Sequence, residues 1–188
     1  MDLYLIRHTR TQAAPGVCYG ASDVPLAATH VEDCAAVARR LPEVQAVWSS
    51  PLARCRALAE AIALRSGVAP RFDARLAELD FGEWEGRRWD AIGRRQSDAW
   101  AEAVWRVAPP GGETYRALHA RVGAALAQIR AGDVQCAALV AHAGPIRAAL
   151  VHCLRWDEES FPETPLDYGG IALLRGSEGD WQLEFLNG

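Results

Sequence analysis

The chain has 188 residues, half of them apolar, enough to bury a sizeable core, and the length fits one domain over residues 1–188 better than two. A net charge of −4 and a pI near 5.7 give no general attraction to a polyanion, so nucleic acid is a poor partner and any phosphate must be met by local cations. Five widely spaced cysteines, with no C-x-x-C pair and no H-E-x-x-H run, exclude the usual zinc frameworks, and no cofactor or metal is expected. Cys34 and Cys55 fall at apolar helical positions and fit buried, reduced thiols. The opening MDLYLIRH lacks a basic lead, a long apolar stretch and a cleavage site, and no segment reaches the roughly 20 apolar residues of a membrane span. A cytoplasmic protein with no membrane partner is expected.

Leu3 to Ile6 form a short apolar run ending in Arg7-His8-Thr9, which reads as a buried strand opening into a loop over 9–26. Val31, Cys34, Ala35, Ala38 and Leu41 recur at helical spacing, predicting a helix over 28–41 that Pro42 ends. A second strand over Val44 to Trp48 is followed by Ser49 or Ser50 as the cap of a helix running to Ser66 and stopped by Gly67. Residues 70–85 read as a loop or short strand, and the Trp-rich stretch from Trp84 to Arg106 as helical up to Pro109-Pro110-Gly111-Gly112. Tyr115 to Ile129 has helical periodicity and closes at Gly132. Cys136 to Ala141 is a third strand, ending at His142, and Gly144-Pro145 starts a helix to Leu154. Two last strands, over 170–175 and 181–186, flank a turn at Gly176 to Asp180. Alternating strands and helices predict an α/β fold, a largely parallel central sheet with helices on both faces.

Ligands of open α/β sheets gather beyond the carboxyl ends of the strands. There this sequence places Arg7-His8, the run Ser49 to Arg54, and His142. Phosphoryl transfer asks for an in-line nucleophile and for donors around the equatorial oxygens. A neutral imidazole supplies the first without a metal, and guanidinium groups match phosphate with paired, permanently charged donors. His8 is therefore the candidate nucleophile, Arg7 and Arg54 the candidate grips, and His142 a further donor.

Four ordered segments make the pattern specific: Arg7-His8; Ser50-Pro51-Leu52-Ala53-Arg54; Leu76 to Gly86, containing Glu78; and Ala141-His142-Ala143-Gly144. Together they resemble the histidine phosphatase, or phosphoglycerate mutase-like, superfamily over about residues 2–150. The resemblance implies a phosphoglycerate mutase-like fold and a metal-independent phosphomonoesterase working through phosphohistidine. His8 would be phosphorylated, Arg7, Arg54 and His142 would bind the phosphoryl group, and Glu78 would protonate the leaving alkoxide, with Glu83 and Glu85 as alternatives. The chain departs from the family pattern at Thr9, where Gly is usual, and at Ala14, near an expected Asn. Thr9, Thr11 or a backbone amide would take over the phosphate contact. Gly16 to Leu26 further resembles the loop of alpha-ribazole phosphatases, which implies alpha-ribazole 5'-phosphate, on the way to cobalamin, as the substrate. The alternatives are a cofactor-dependent phosphoglycerate mutase, a phosphoprotein or broad-specificity phosphatase, and a catalytically silent phosphate binder.

The expected partner is a small-molecule phosphate ester, and a homodimer stays open. Core packing is the favoured reading of Trp84, Trp89, Trp100 and Trp105, with one or two of them available to stack on an aromatic base. Arg87 and Arg88 read as a solvated pair or an attractor of anionic substrate. His30, His119 and His152 match no motif and receive no role.

Overall fold

Side chains alternate between two cores along the central strands, as period-two geometry requires. In β1 (Asp2–Arg7), Leu3 and Leu5 enter one core and Ile6 the other; in β4 (Cys136–Ala141), Ala137, Leu139 and Ala141 face the first and Ala138 and Val140 the second. Strands buried on both sides need helices on both faces. The computed structural model, which describes residues 1–157, 165–177 and 179–188, supplies them. α1 (His30–Arg39) and α2 (Ala53–Ser66) cover one face through Cys34, Val37, Cys55, Leu58 and Ile62. On the other lie α4 (Tyr115–Arg130) and α5 (Ala143–Leu154), with Leu118, Val122, Ile146 and Leu150. Fully burying one such leucine or isoleucine contributes about 1.5–3 kcal/mol.

The sheet has six strands, with β2 (Ala46–Ser49), β3 (Pro70–Phe72), β5 (Ile171–Ser177) and β6 (Asp180–Phe185) joining the two above in the order β3-β2-β4-β1-β5-β6. The first four of these positions are parallel, while β5 and β6 pair antiparallel at one side, which bears out the largely parallel sheet. The last hairpin falls where expected, although part of its turn, residue 178, lies outside the described residues. Among the described residues, no helix is long and apolar enough to cross a membrane.

Two local expectations change. Trp84 to Arg106 is not one helix: short 3-10 turns at Gly82–Trp84 and Trp89–Ala91 precede α3 (Arg94–Glu102). Gly86, at φ 77°, turns the chain out of helical geometry between them. The tryptophans then meet across the turns, with Trp84 edge-on to both Trp89 and Trp100. Nor does Ser49 or Ser50 cap α2. Leu52 stands at that position, and the free amide of Ala53 donates instead to Asp23 Oδ1, at 2.8 Å, from the 9–26 loop. Gly67 does end α2, in the left-handed region at φ 66°.

Candidate active site

Parallel pairing of β1 with β4 sets Arg7 opposite Ala141, so the next residues, His8 and His142, leave adjacent strand ends side by side. The His8 amide donates to the Ala141 carbonyl at 3.0 Å, and the two rings sit edge to face with centroids 5.1 Å apart. β2 lies on the other side of β4, and the Ser50 amide, bonded to the Val140 carbonyl at 3.0 Å, starts the turn that leads to Arg54.

His8 is buried, and its Nδ1–H donates to the carbonyl of Thr9 at 2.7 Å. That bond fixes the tautomer and leaves the lone pair on Nε2. Burial depresses its pKa to about 3, the Thr9 carbonyl working against the shift and the Arg54 and Arg7 charges with it. His8 is thus an unprotonated imidazole across the ordinary working range.

Arg54 is wholly buried, its guanidinium spread over three acceptors: His142 Nδ1 at 3.1 Å, the Ser22 carbonyl at 2.8 Å and the Gly20 carbonyl at 2.5 Å. Because His142 Nδ1 accepts, its Nε2 carries the proton and donates to Ser50 Oγ at 2.9 Å. Burial first, then Arg54, His8, Arg121 and Arg7, hold the His142 pKa well below its ordinary value. The neutral ring's single proton therefore goes to Ser50, and donation to a phosphoryl oxygen requires a second proton on the ring. Arg7 donates through Nη1 to the Leu166 carbonyl, and its buried Nε has no hydrogen-bond partner among the described residues.

Of the three candidate acids, only Glu78 lines the cavity with His8. Its Oε1 accepts from the Leu79 amide at 2.9 Å and its Oε2 from the Gly144 amide at 3.3 Å, yet burial outweighs these bonds and raises its pKa. Arg121 of α4 anchors the segment, donating to the carbonyls of Arg75 and Ala77 at 2.7 Å each and of Glu78 at 3.0 Å while paired with Glu113. Gly144 leaves room for this carboxyl, since a Cβ would stand 2.2 Å from Glu78 Oε1 and push the side chain aside. Glu85 is a structural clamp: burial would raise its pKa, but the Ser22 side chain, with the amides of Ser22 and Ala21, both at 2.7 Å, and of Phe81, holds it low. Glu83 is exposed and away from the cavity.

A cavity of about 710 Å³ opens over these groups, within the range of small-molecule sites. Among the described residues, no group of three or more His, Cys, Asp or Glu side chains is placed to hold a metal ion.

The family model for the histidine phosphatase superfamily (branch 1) matches residues 3–188. The chain belongs to that superfamily. A protein of Salmonella paratyphi B named probable phosphoglycerate mutase GpmB is 35% identical over 134 residues, 68% of this chain and 62% of its own length. The chain thus matches less than two thirds of that relative. The alpha-ribazole phosphatase of Shigella flexneri superposes with a TM-score of 0.90 at 24% identity, covering 100% of this chain and 96% of that one, a likeness of fold. A mycobacterial glucosyl-3-phosphoglycerate phosphatase superposes with a TM-score of 0.88 at 26% identity, covering 99% and 98% of the two chains.

In this member of the superfamily the structure brings together Arg7, His8, Arg54, Glu78 and His142, but not Thr9. The Thr9 hydroxyl turns away to Cys34 Sγ at 3.6 Å, so the residue serves through its carbonyl on His8 and not as a phosphate contact. Thr11 meets the Tyr19 hydroxyl at 3.4 Å. Trp84 and Trp105 belong to the core, whereas Trp89 and Trp100, stacked with centroids 5.9 Å apart, line the cavity. Arg88 is exposed and paired with Asp90, and Arg87 donates to the Ala91 carbonyl; neither lines the cavity. His30 bonds the Ala27 carbonyl, and His119 and His152 pack on each other away from the site. Sequence reading missed Tyr19, Tyr168, Arg121 and Arg147. Of these only Arg147 carried a signal: it falls one helical turn beyond Ala143 on α5, on the same face.

Proposed function

We propose that the chain is a metal-independent phosphomonoesterase that forms a phosphohistidine at His8. The observation that carries this reading is the state of His8: neutral, with Nδ1 tied to Thr9 and Nε2 left nucleophilic, in a cavity shared with two arginines and a carboxyl of raised pKa. His8 Nε2 attacks phosphorus, the ester P–O bond breaks, and Glu78 gives its proton to the departing alkoxide. Water then attacks phosphohistidine, Glu78 takes the water's proton, the P–N bond breaks, and inorganic phosphate leaves. Arg7 and Arg54 hold the equatorial oxygens. His142, with Nε2–H on Ser50 Oγ and Nδ1 accepting from Arg54 Nε, orients the Arg54 guanidinium for those oxygens. General acid help of this kind is worth roughly 10²–10⁴-fold.

The test is acid-stable against acid-labile label. Rapid quenching with radiolabelled p-nitrophenyl phosphate should trap an acid-labile phosphoryl group on His8, and turnover should persist in excess EDTA. Label on a serine or cysteine, or loss of turnover restored by a divalent ion, would overturn the assignment.

For substrate, alpha-ribazole 5'-phosphate is the leading reading, supported by the Gly16 to Leu26 loop and by Trp89 and Trp100 in the cavity wall, where an aromatic base can stack. Arg147 in the same wall supports a second reading, a phosphate ester with a further acidic group, as in the glyceric acid compounds named for two of the relatives. Comparing kcat/KM for alpha-ribazole 5'-phosphate and 3-phosphoglycerate decides between them.

A further inference from the structure

Both phosphate-facing arginines are covered by an aromatic ring. Arg7 Cζ lies 3.9 Å from the Tyr168 ring centroid, and Arg54 Cζ lies 5.3 Å from that of Tyr19. The two phenols, 149 residues apart in sequence, are hydrogen-bonded to each other at 3.0 Å. The Tyr168 ring is also 5.5 Å from that of His8, and both tyrosines line the cavity. We infer that Tyr19 and Tyr168 are positioning residues, a clasp that holds Arg7 and Arg54 in place for phosphoryl oxygens. This rests on the reading of the His8 site given above.

The choice of partner has a physical reason. Among the described residues, the hydrogen-bond and ring partners of the two guanidiniums are carbonyls, a ring nitrogen and aromatic faces. A carboxylate would fix the same groups but neutralise them against an incoming anion. An aromatic face attracts a cation through its quadrupole and leaves the full charge to the ligand. The phenol–phenol bond ties the 9–26 loop to the segment before β5, so the two guanidiniums are set relative to each other across the mouth of the site.

The test reads anion binding apart from turnover. Titration calorimetry with orthovanadate and with inorganic phosphate should show Tyr168→Leu binding roughly 5- to 30-fold more weakly than the parent, the range of a partly desolvated cation–π contact. kcat/KM for p-nitrophenyl phosphate should fall at least as far. Tyr168→Phe keeps the ring and loses only the hydroxyl bond, so it should recover most of the binding lost in Tyr168→Leu. Tyr19→Phe removes the same phenol–phenol bond together with the Thr11 contact, so the double Phe variant should be no worse than Tyr19→Phe alone. Melting temperatures separate a folding defect: lowered stability with unchanged anion affinity in Tyr168→Leu overturns the proposal. So does Tyr168→Phe binding as weakly as Tyr168→Leu, or full additivity in the double variant. If the parent leaves His8 unlabelled yet binds vanadate in this Tyr168-dependent way, the phosphatase reading fails and the clasp stands.

Discussion

Acid should destabilise this fold through its buried His8. Unfolded, His8 titrates near the ordinary imidazole value of about 6.5; folded, burial keeps it unprotonated down to about 3. As pH falls below the unfolded value, the unfolded chain takes up a proton that the folded chain refuses, so stability is present above that value and is lost through the interval between the two. From about pH 7 to about pH 5 the loss from His8 alone is about 2 kcal/mol. In a chain of this length that lowers Tm by about 4–8 °C. His142, depressed for the same reason, adds to it. Glu78 works the other way, its raised pKa favouring the folded state as pH drops, but it is shared by parent and variant and cancels in their comparison. The assay is denaturant unfolding of the parent and His8→Asn across this range. The variant should lose about 2 kcal/mol less stability between the two pH values. Parallel curves would mean that folded His8 titrates normally, and the account of a nucleophile held neutral by burial would be wrong.

Glu78→Gln should slow an alkyl phosphate roughly 10²–10⁴-fold more than p-nitrophenyl phosphate, because only the poor leaving group needs a proton; equal slowing, measured side by side, would remove Glu78 from the acid role. Gly144→Ala should reproduce that leaving-group dependence without touching the carboxyl, since its Cβ at 2.2 Å from Oε1 must displace Glu78, and an error of about 1 Å there can cost roughly 10²-fold. Trp89→Ala should reduce kcat/KM for alpha-ribazole 5'-phosphate by roughly 5- to 100-fold, the worth of one base–aromatic stack, while leaving p-nitrophenyl phosphate nearly unchanged. Equal losses on the two substrates would make Trp89 a packing residue.

Strand ends were the legible part of this molecule. A buried strand announces itself by an apolar run, and where the run stops the polar residue is placed by the ladder, so Arg7, His8 and His142 were readable before any coordinates. Segment 84–106 was misread because its apolar residues suggest a helix, whereas ring-on-ring contacts between Trp84, Trp89 and Trp100 hold a chain of short turns together. Asp23 as the cap of α2, Arg121 as the anchor of the Glu78 segment and Tyr168 over Arg7 are all tertiary contacts. No local spacing encodes them, since their partners come from distant elements. Glu85 shows the same limit: equivalent to Glu78 by composition, it was excluded only once its oxygens were found occupied by amides.

That difference in legibility has a functional counterpart. His8 and His142 are fixed by the register of the sheet, and a shift of either would break β1–β4 pairing as well as the site. The far wall is built from a 3-10 turn at Trp89 and the end of α3 at Trp100, both outside the sheet, plus Arg147 one turn into α5. Substitutions there can exchange an aromatic surface for a charged one with little effect on the strands that hold the nucleophile. On the proposed function, substrate preference is to be sought in Trp89, Trp100 and Arg147, and the reaction itself in Arg7, His8, Arg54 and Glu78.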